Sequence, residues 1–195
     1  MVIASPAVYH YEHVKVALEK GKDVFVEKPL TLDSEQGEEL NSIAEQEKCI
    51  LMVGHVLNYH PVIVKIKQLL QEKVLGDIYY IQSSRLSLGM FRTEENVLWS
   101  FAPHDISIIM NLLEENPKKV QAFGGSYLLD GIEDTCTIHL EFSGKVKGKI
   151  DVNWLHPTKE QKLVIAGSQG LLVFDDCNEW SKKLQLIKQP ITWET

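Results

Sequence analysis

Val24-Phe25-Val26-Glu27-Lys28-Pro29 decides the reading of this chain, because three apolar residues with strand preference end abruptly in a carboxylate, an amine and a proline. The same pattern lies on either side of it. Upstream, Val2-Ile3-Ala4 is a strand tail broken by Ser5-Pro6, and Tyr9, Val14, Ala17 and Leu18 form the apolar stripe of a helix predicted to stop at Gly21. Downstream, Asp33 or Ser34 can cap a helix whose stripe is Leu40, Ile43, Ala44 and Glu47 and which runs to about Lys48. A third strand, Ile50-Leu51-Met52-Val53, closes at Gly54-His55. Short apolar strands alternating with helices predict parallel βαβ units.

Beyond His55 the pattern changes. Val62, Ile63, Ile66, Leu69 and Leu70 predict a helix that begins after Pro61 and ends before Gly76. Strand-like runs then follow at Ile78 to Leu86, Val120 to Gly124, Thr135 to Phe142, Val146 to Trp154, Leu163 to Ala166 and Leu171 to Phe174. Turn signals such as Ser143-Gly144 and Ser168-Gln169-Gly170 separate them, and one helix of about Asp105 to Leu113 interrupts them. The expected architecture is α/β plus α+β: a partial doubly wound parallel sheet followed by a large, mainly antiparallel sheet.

The 195 residues are 44% hydrophobic and 24% charged, with 12 Gly and 7 Pro, an ordinary globular composition that excludes disorder, collagen and coiled coil. A net charge of −7 argues against nucleic acid or an anionic membrane as partner. No apolar run reaches the ~18 residues that span a bilayer, and Met1 opens a strand rather than a signal peptide, so a cytoplasmic location is expected. Cys49, Cys136 and Cys177 are too few and too scattered for a disulfide framework or a metal knuckle, and all three are expected to be buried or half-buried thiols.

Ligands of open parallel sheets sit beyond the carboxyl ends of the strands. Ser5-Pro6, Glu27-Lys28-Pro29 and Gly54-His55 all fall at such ends. Each could simply terminate its strand, but Pro29 biases Lys28 toward extended backbone, which points its ammonium outward as a cation at a ligand edge. His104, in Trp99-Ser100-Phe101-Ala102-Pro103-His104-Asp105, is placed by this reading at the mouth of a helix, with Asp105 as a candidate orienting carboxylate. An imidazole there could take a hydroxyl proton. His10 and His13 share a helix face but lack a third ligand at matching spacing, so no metal is expected. Neither G-x-G-x-x-G nor G-x-x-x-x-G-K-[ST] occurs in the chain.

Val2-Ile3-Ala4-Ser5-Pro6, His10, Ala17-Leu18, Gly21-Lys22 and Val24 to Leu30 together resemble the second half of the nucleotide-binding domain of the Gfo/Idh/MocA oxidoreductases. That family includes glucose–fructose oxidoreductase and inositol dehydrogenase. Val53 to Pro61, Ala102-Pro103-His104-Asp105-Ile106 and Ile165 to Gly170 before Phe174-Asp175-Asp176 carry the similarity almost to the end, and Glu95 to Asp105 looks most like its nucleotide-sugar 3-dehydrogenase branch. The resemblance implies a partial Rossmann domain over 1–57 and a substrate-binding and oligomerisation domain over 58–195.

It also implies hydride transfer between a sugar or nucleotide-sugar hydroxyl carbon and NAD or NADP. Lys28 and His104 match the family's catalytic lysine and acid/base histidine. Ser5, Pro6, His10, Glu27 and Lys28 stand at cofactor positions, and Lys28, Asn58, Tyr59, His104 and Asp105 at substrate positions. On this reading the ammonium of Lys28 and the imidazole of His104 converge on one carbohydrate oxygen. A homo-oligomer formed through the second sheet is implied as well.

Ser100 replaces an aspartate that many members carry four residues before the histidine, and Asn58 replaces an arginine. The family's opening strand, glycine-rich turn, helix and acidic-ended strand do not precede Val2, and members continue past Ile191-Thr192-Trp193. The chain is therefore expected to be a fragment or shortened form that binds dinucleotide poorly by itself, or alternatively a non-catalytic assembly subunit of the same family.

Overall fold

The computed structural model describes residues 1–89 and 91–188. The stretch Ile191-Thr192-Trp193 lies outside them. The fold divides into two units, Met1–Val56 and Leu57–Thr195.

The first unit is a three-stranded parallel sheet of order β1-β2-β3, made by Val2–Ile3, Val24–Val26 and Leu51–Val53. Helix α1 (His10–Glu19) follows β1 and buries Val14, Ala17 and Leu18, residues spaced to share one helix face. Tyr9, expected on that stripe, is 52% exposed, because a 3-10 turn at Ala7–Tyr9 precedes the helix. Helix α2 (Ser34–Glu47) starts at Asp33, whose Oδ1 accepts from Glu35 N at 2.7 Å and Gln36 N at 3.3 Å. Its Leu40 and Ala44 pack with Ile3, Val14, Leu18, Val24 and Val26 in a small core, whereas Glu47 stays exposed.

The second unit opens with α3 (Pro61–Gln71) and then builds a seven-stranded sheet. Its strands are β4 (Ile78–Leu86), β5 (Lys119–Gly125), β6 (Thr135–Glu141), β7 (Lys147–Asn153), β8 (Glu160–Gly167), β9 (Gly170–Asp175) and β10 (Leu184–Ile187), in the order β10-β9-β8-β4-β7-β6-β5. Among the described residues of this sheet, only the β4–β7 pair is parallel. Alternation sets the faces. Cys136, Ile138 and Leu140 of β6 and Ile150 and Val152 of β7 are buried in a core with Ile63 and Ile66 of α3. On the opposite face β6 and β7 are polar, Thr137 Oγ1 donating to Asp151 at 2.8 Å and Lys147 pairing with Glu141 at 2.7 Å, while β4, β8 and β9 place Tyr80, Val164, Leu171 and Val173 there. The short β10 was not legible, since half its residues are exposed and its pairing with β9 is its main support.

Two further expectations fail. Helix α4 spans Val97–Leu113, starting eight residues before Asp105, with Asn96 as its cap and Pro103 inside it. Its buried face includes the polar Ser100 and Asp105 beside Val97, Ala102, Ile108, Ile109 and Leu112, so the apolar stripe is interrupted in sequence though continuous in burial. Cys177 is exposed, because it sits in the turn after β9 with its N–H on Asp175 Oδ1 at 3.0 Å.

Candidate functional site

In the first unit, the carboxyl ends of the three strands gather the residues singled out from the sequence. Glu27 continues the ladder, its N–H donating to Ile3 O at 2.9 Å. Its carboxylate lies against Gly54 at the end of β3, where an added Cβ would stand 3.3 Å from Oε2. His55, next in the chain, has its proton affinity lowered first by burial and second by the positive charge of Lys28. The amine and a neutral-leaning imidazole are thus electrostatic neighbours at the strand ends. His55 was visible in the sequence only as part of a strand-ending cluster; what gives it weight is the parallel pairing of β2 with β3.

Ser5 and Pro6 form the loop after β1. Pro6 O accepts from Tyr9 N at 3.0 Å, and Ser5 Oγ lies 3.1 Å from His13 Nδ1. His10 is 1% exposed and turns both ring nitrogens to main-chain carbonyls, Nδ1 to Pro29 at 2.7 Å and Nε2 to Ser5 at 2.8 Å. It therefore connects the loops that carry the other candidates. The Lys28–Pro29 peptide is cis.

In the second unit, His104 is half-buried in the interior of α4, immediately after Pro103, and its carbonyl accepts from Ser107 Oγ at 2.8 Å. Proline lacks an N–H and so removes one helical hydrogen bond just before the histidine. Asp105 faces the sheet. Its Oδ1 accepts from Ser83 Oγ at 2.6 Å and its Oδ2 from Arg85 Nε at 2.7 Å, both from β4, with the Arg85 and Asp105 side chains 12% and 3% exposed. The carboxylate thus fixes α4 on the sheet; its orienting effect on His104 acts through the helix.

Asn58 and Tyr59 lie in the 3-10 turn Val56–Tyr59. Tyr59 is 66% exposed, while Asn58 Oδ1 is shielded from solvent and meets no hydrogen-bond donor among the described residues. A narrow cavity in the same unit is lined by Asp105, Arg85 and Ser83 on one side and His60, Phe174 and Asp176 on the other. His60 Nδ1 accepts from Val62 N at 3.2 Å, capping α3, and Nε2 is 3.7 Å from Asp176. His60 and Asp176 had no sequence signal as a pair, since more than a hundred residues separate them. Among the described residues, no group of three or more His, Cys, Asp or Glu could hold a metal ion, and no helix is long and apolar enough to cross a membrane.

Two family models match the chain: an oxidoreductase-family, NAD-binding Rossmann fold over residues 1–55, and a GFO/IDH/MocA C-terminal domain over residues 63–173. Among curated relatives, the 2,7-anhydro-N-acetylneuraminate hydratase of Mediterraneibacter gnavus is 24% identical over 194 residues, covering 91% of this chain and 51% of that protein. The UDP-N-acetylglucosamine 3-dehydrogenase of Acidithiobacillus ferrooxidans is 29% identical over 129 residues, 66% of this chain and 40% of that protein. An inositol dehydrogenase homolog from Azotobacter vinelandii, complexed with NADH and myo-inositol, has the same fold at a TM-score of 0.84 and 21% identity, covering 96% of this chain and 55% of that one. The chain spans about half the length of the curated relatives that it matches nearly end to end.

Proposed function

The chain belongs to the GFO/IDH/MocA oxidoreductase family, and from that premise we propose that it is an NAD(P)-dependent dehydrogenase, or part of one, acting on a hydroxyl carbon of a sugar or nucleotide sugar. The observation that carries this reading is the placement of Lys28 at the carboxyl end of the middle parallel strand, beside His55 and the loop of Ser5-Pro6. Ligands of such sheets bind at this edge.

Bound NAD(P) would supply the hydride acceptor. Ser5 and Pro6 after β1 and Glu27 and Lys28 after β2 would hold its nicotinamide side. Oxidising an alcohol requires a base for the hydroxyl proton and a cation to steady the alkoxide charge. His104 is assigned the base and Lys28 the cation, with Asn58 and Tyr59 as substrate contacts; the shielded Asn58 Oδ1 supports its share of that assignment. Asp105 contributes by holding the helix that bears His104.

Residues 1–57 would serve the cofactor and 58–195 the substrate and assembly, in a cytoplasmic homo-oligomer built on the large sheet. The nucleotide-sugar class is preferred on the similarity to the UDP-N-acetylglucosamine 3-dehydrogenase. The test is an assay of the complete open reading frame against UDP-sugars and inositols, following reduced-cofactor absorbance. Lys28→Ala should lower turnover by at least about a thousandfold, ~4 kcal/mol of barrier, with folding intact. A loss under about tenfold, ~1.4 kcal/mol, would remove Lys28 from the mechanism. Absence of turnover with every substrate would favour a non-catalytic assembly subunit.

A further inference from the structure

We propose that His10 bears a proton on each ring nitrogen and is the positioning residue that fixes the backbone on either side of Lys28. The argument is a count of donors. Both ring nitrogens stand within 2.8 Å of carbonyl oxygens, those of Pro29 and Ser5, in a side chain only 1% exposed. A carbonyl oxygen can only accept, and a neutral imidazole has a single N–H. The neutral ring would therefore aim a lone pair at one of the two oxygens in a site closed to water. Turning the ring over presents carbons in place of both nitrogens and loses both contacts. Only the imidazolium satisfies the two acceptors together, through charge-assisted bonds. Burial and the positive end of α1, where His10 is the first residue, oppose the second proton, and the two charge-assisted bonds favour it.

The consequence falls on Lys28. Its preceding neighbour, Glu27, is held by the bond from its N–H to Ile3 O at 2.9 Å, and its following neighbour, Pro29, is held through its carbonyl by His10. The lysine is thus suspended between two fixed points. The same histidine grips Ser5, so one side chain ties the loops after β1 and β2 together. In place of a cofactor contact through its nitrogens, His10 sets the frame on which the amine is carried. This rests on the reading of Lys28 as the reacting amine.

Ring nitrogen–proton correlation spectra of the nitrogen-15-labelled chain near neutral pH test the first part. Two ring N–H groups are expected for His10; a single N–H, the pattern of a neutral tautomer, would overturn it. For the second part, lysines are methylated reductively with carbon-13, and the Lys28 signal is identified by its loss in Lys28→Met. In His10→Gln, which offers an amide in place of two opposed donors, the Lys28 signal should shift while the amide spectrum of α1 and the sheet persists. An unmoved Lys28 signal in a folded variant would sink the positioning role, and a variant that fails to fold leaves the ring spectrum of the unmutated chain to decide. Neither readout uses turnover, so an inactive enzyme with a doubly protonated His10 would defeat the proposed function and leave this inference standing.

Discussion

Replacing Asp105 by alanine should destabilise the second unit far more than loss of a surface charge would. The carboxylate is 3% exposed and accepts from Arg85 Nε at 2.7 Å and Ser83 Oγ at 2.6 Å. Arg85 is itself only 12% exposed, so the variant leaves a guanidinium in a low-dielectric pocket without its counter-charge. Removing one partner of a buried pair costs about 3–5 kcal/mol, against ~0.2–1 kcal/mol for an exposed pair. With an m-value of about 2 kcal/mol/M, the urea midpoint should fall by roughly 1.5–2.5 M. Residues 1–56 contain no tryptophan while Trp99, Trp154 and Trp180 lie in the second unit, so tryptophan fluorescence reports its unfolding selectively. The double variant Arg85→Met with Asp105→Leu should recover most of the loss, since the penalty is the orphaned charge rather than the missing bond. A single-variant loss below about 1 kcal/mol would refute the reasoning, because it would place the pair in the class of screened surface bridges.

Gly167→Ala should cost about 1–3 kcal/mol in the same fluorescence assay, because its Cβ would stand 2.3 Å from Leu75 O, a backbone atom; a midpoint equal to that of the unmutated chain would show that the strand end can yield. His55 should titrate below its ordinary value of 6.5, and Lys28→Met should move it part of the way back, leaving the larger contribution of burial. The folded value lies below the unfolded one, so this contribution to stability is intact above pH 6.5 and declines as the pH falls through the folded value; an NMR titration in which Lys28→Met leaves His55 unmoved would contradict it. NAD(H) titrated into the 195-residue chain should show no saturable binding below about millimolar, since no glycine-rich phosphate loop is present in its sequence, and a micromolar dissociation constant by calorimetry would demand another phosphate site.

What the linear sequence determined is whatever depends on neighbours along the chain. The limits of β4, Ile78 to Leu86, follow from local strand preference, and Asp33 could be named as a cap because capping is an event within three residues. The strand-end positions of Ser5, Glu27, Lys28 and His55 followed for the same reason, since an apolar run that stops at proline or glycine announces its own edge. Helix α4 defeated the same logic. Local pattern alone starts the helix at about Asp105, past Pro103, and takes Asp105 as an orienting carboxylate for His104; only the fold shows it buried, with Ser83 and Arg85 of β4 as partners from about twenty residues away. His10 is the sharper case: one imidazole among seven is indistinguishable by type or spacing, and only the parallel register of β1 with β2 brings two carbonyl oxygens to its two nitrogens. Tertiary structure alone decided which polar side chains are satisfied, because hydrogen bonding depends on distances of a few ångströms that sequence separation does not encode.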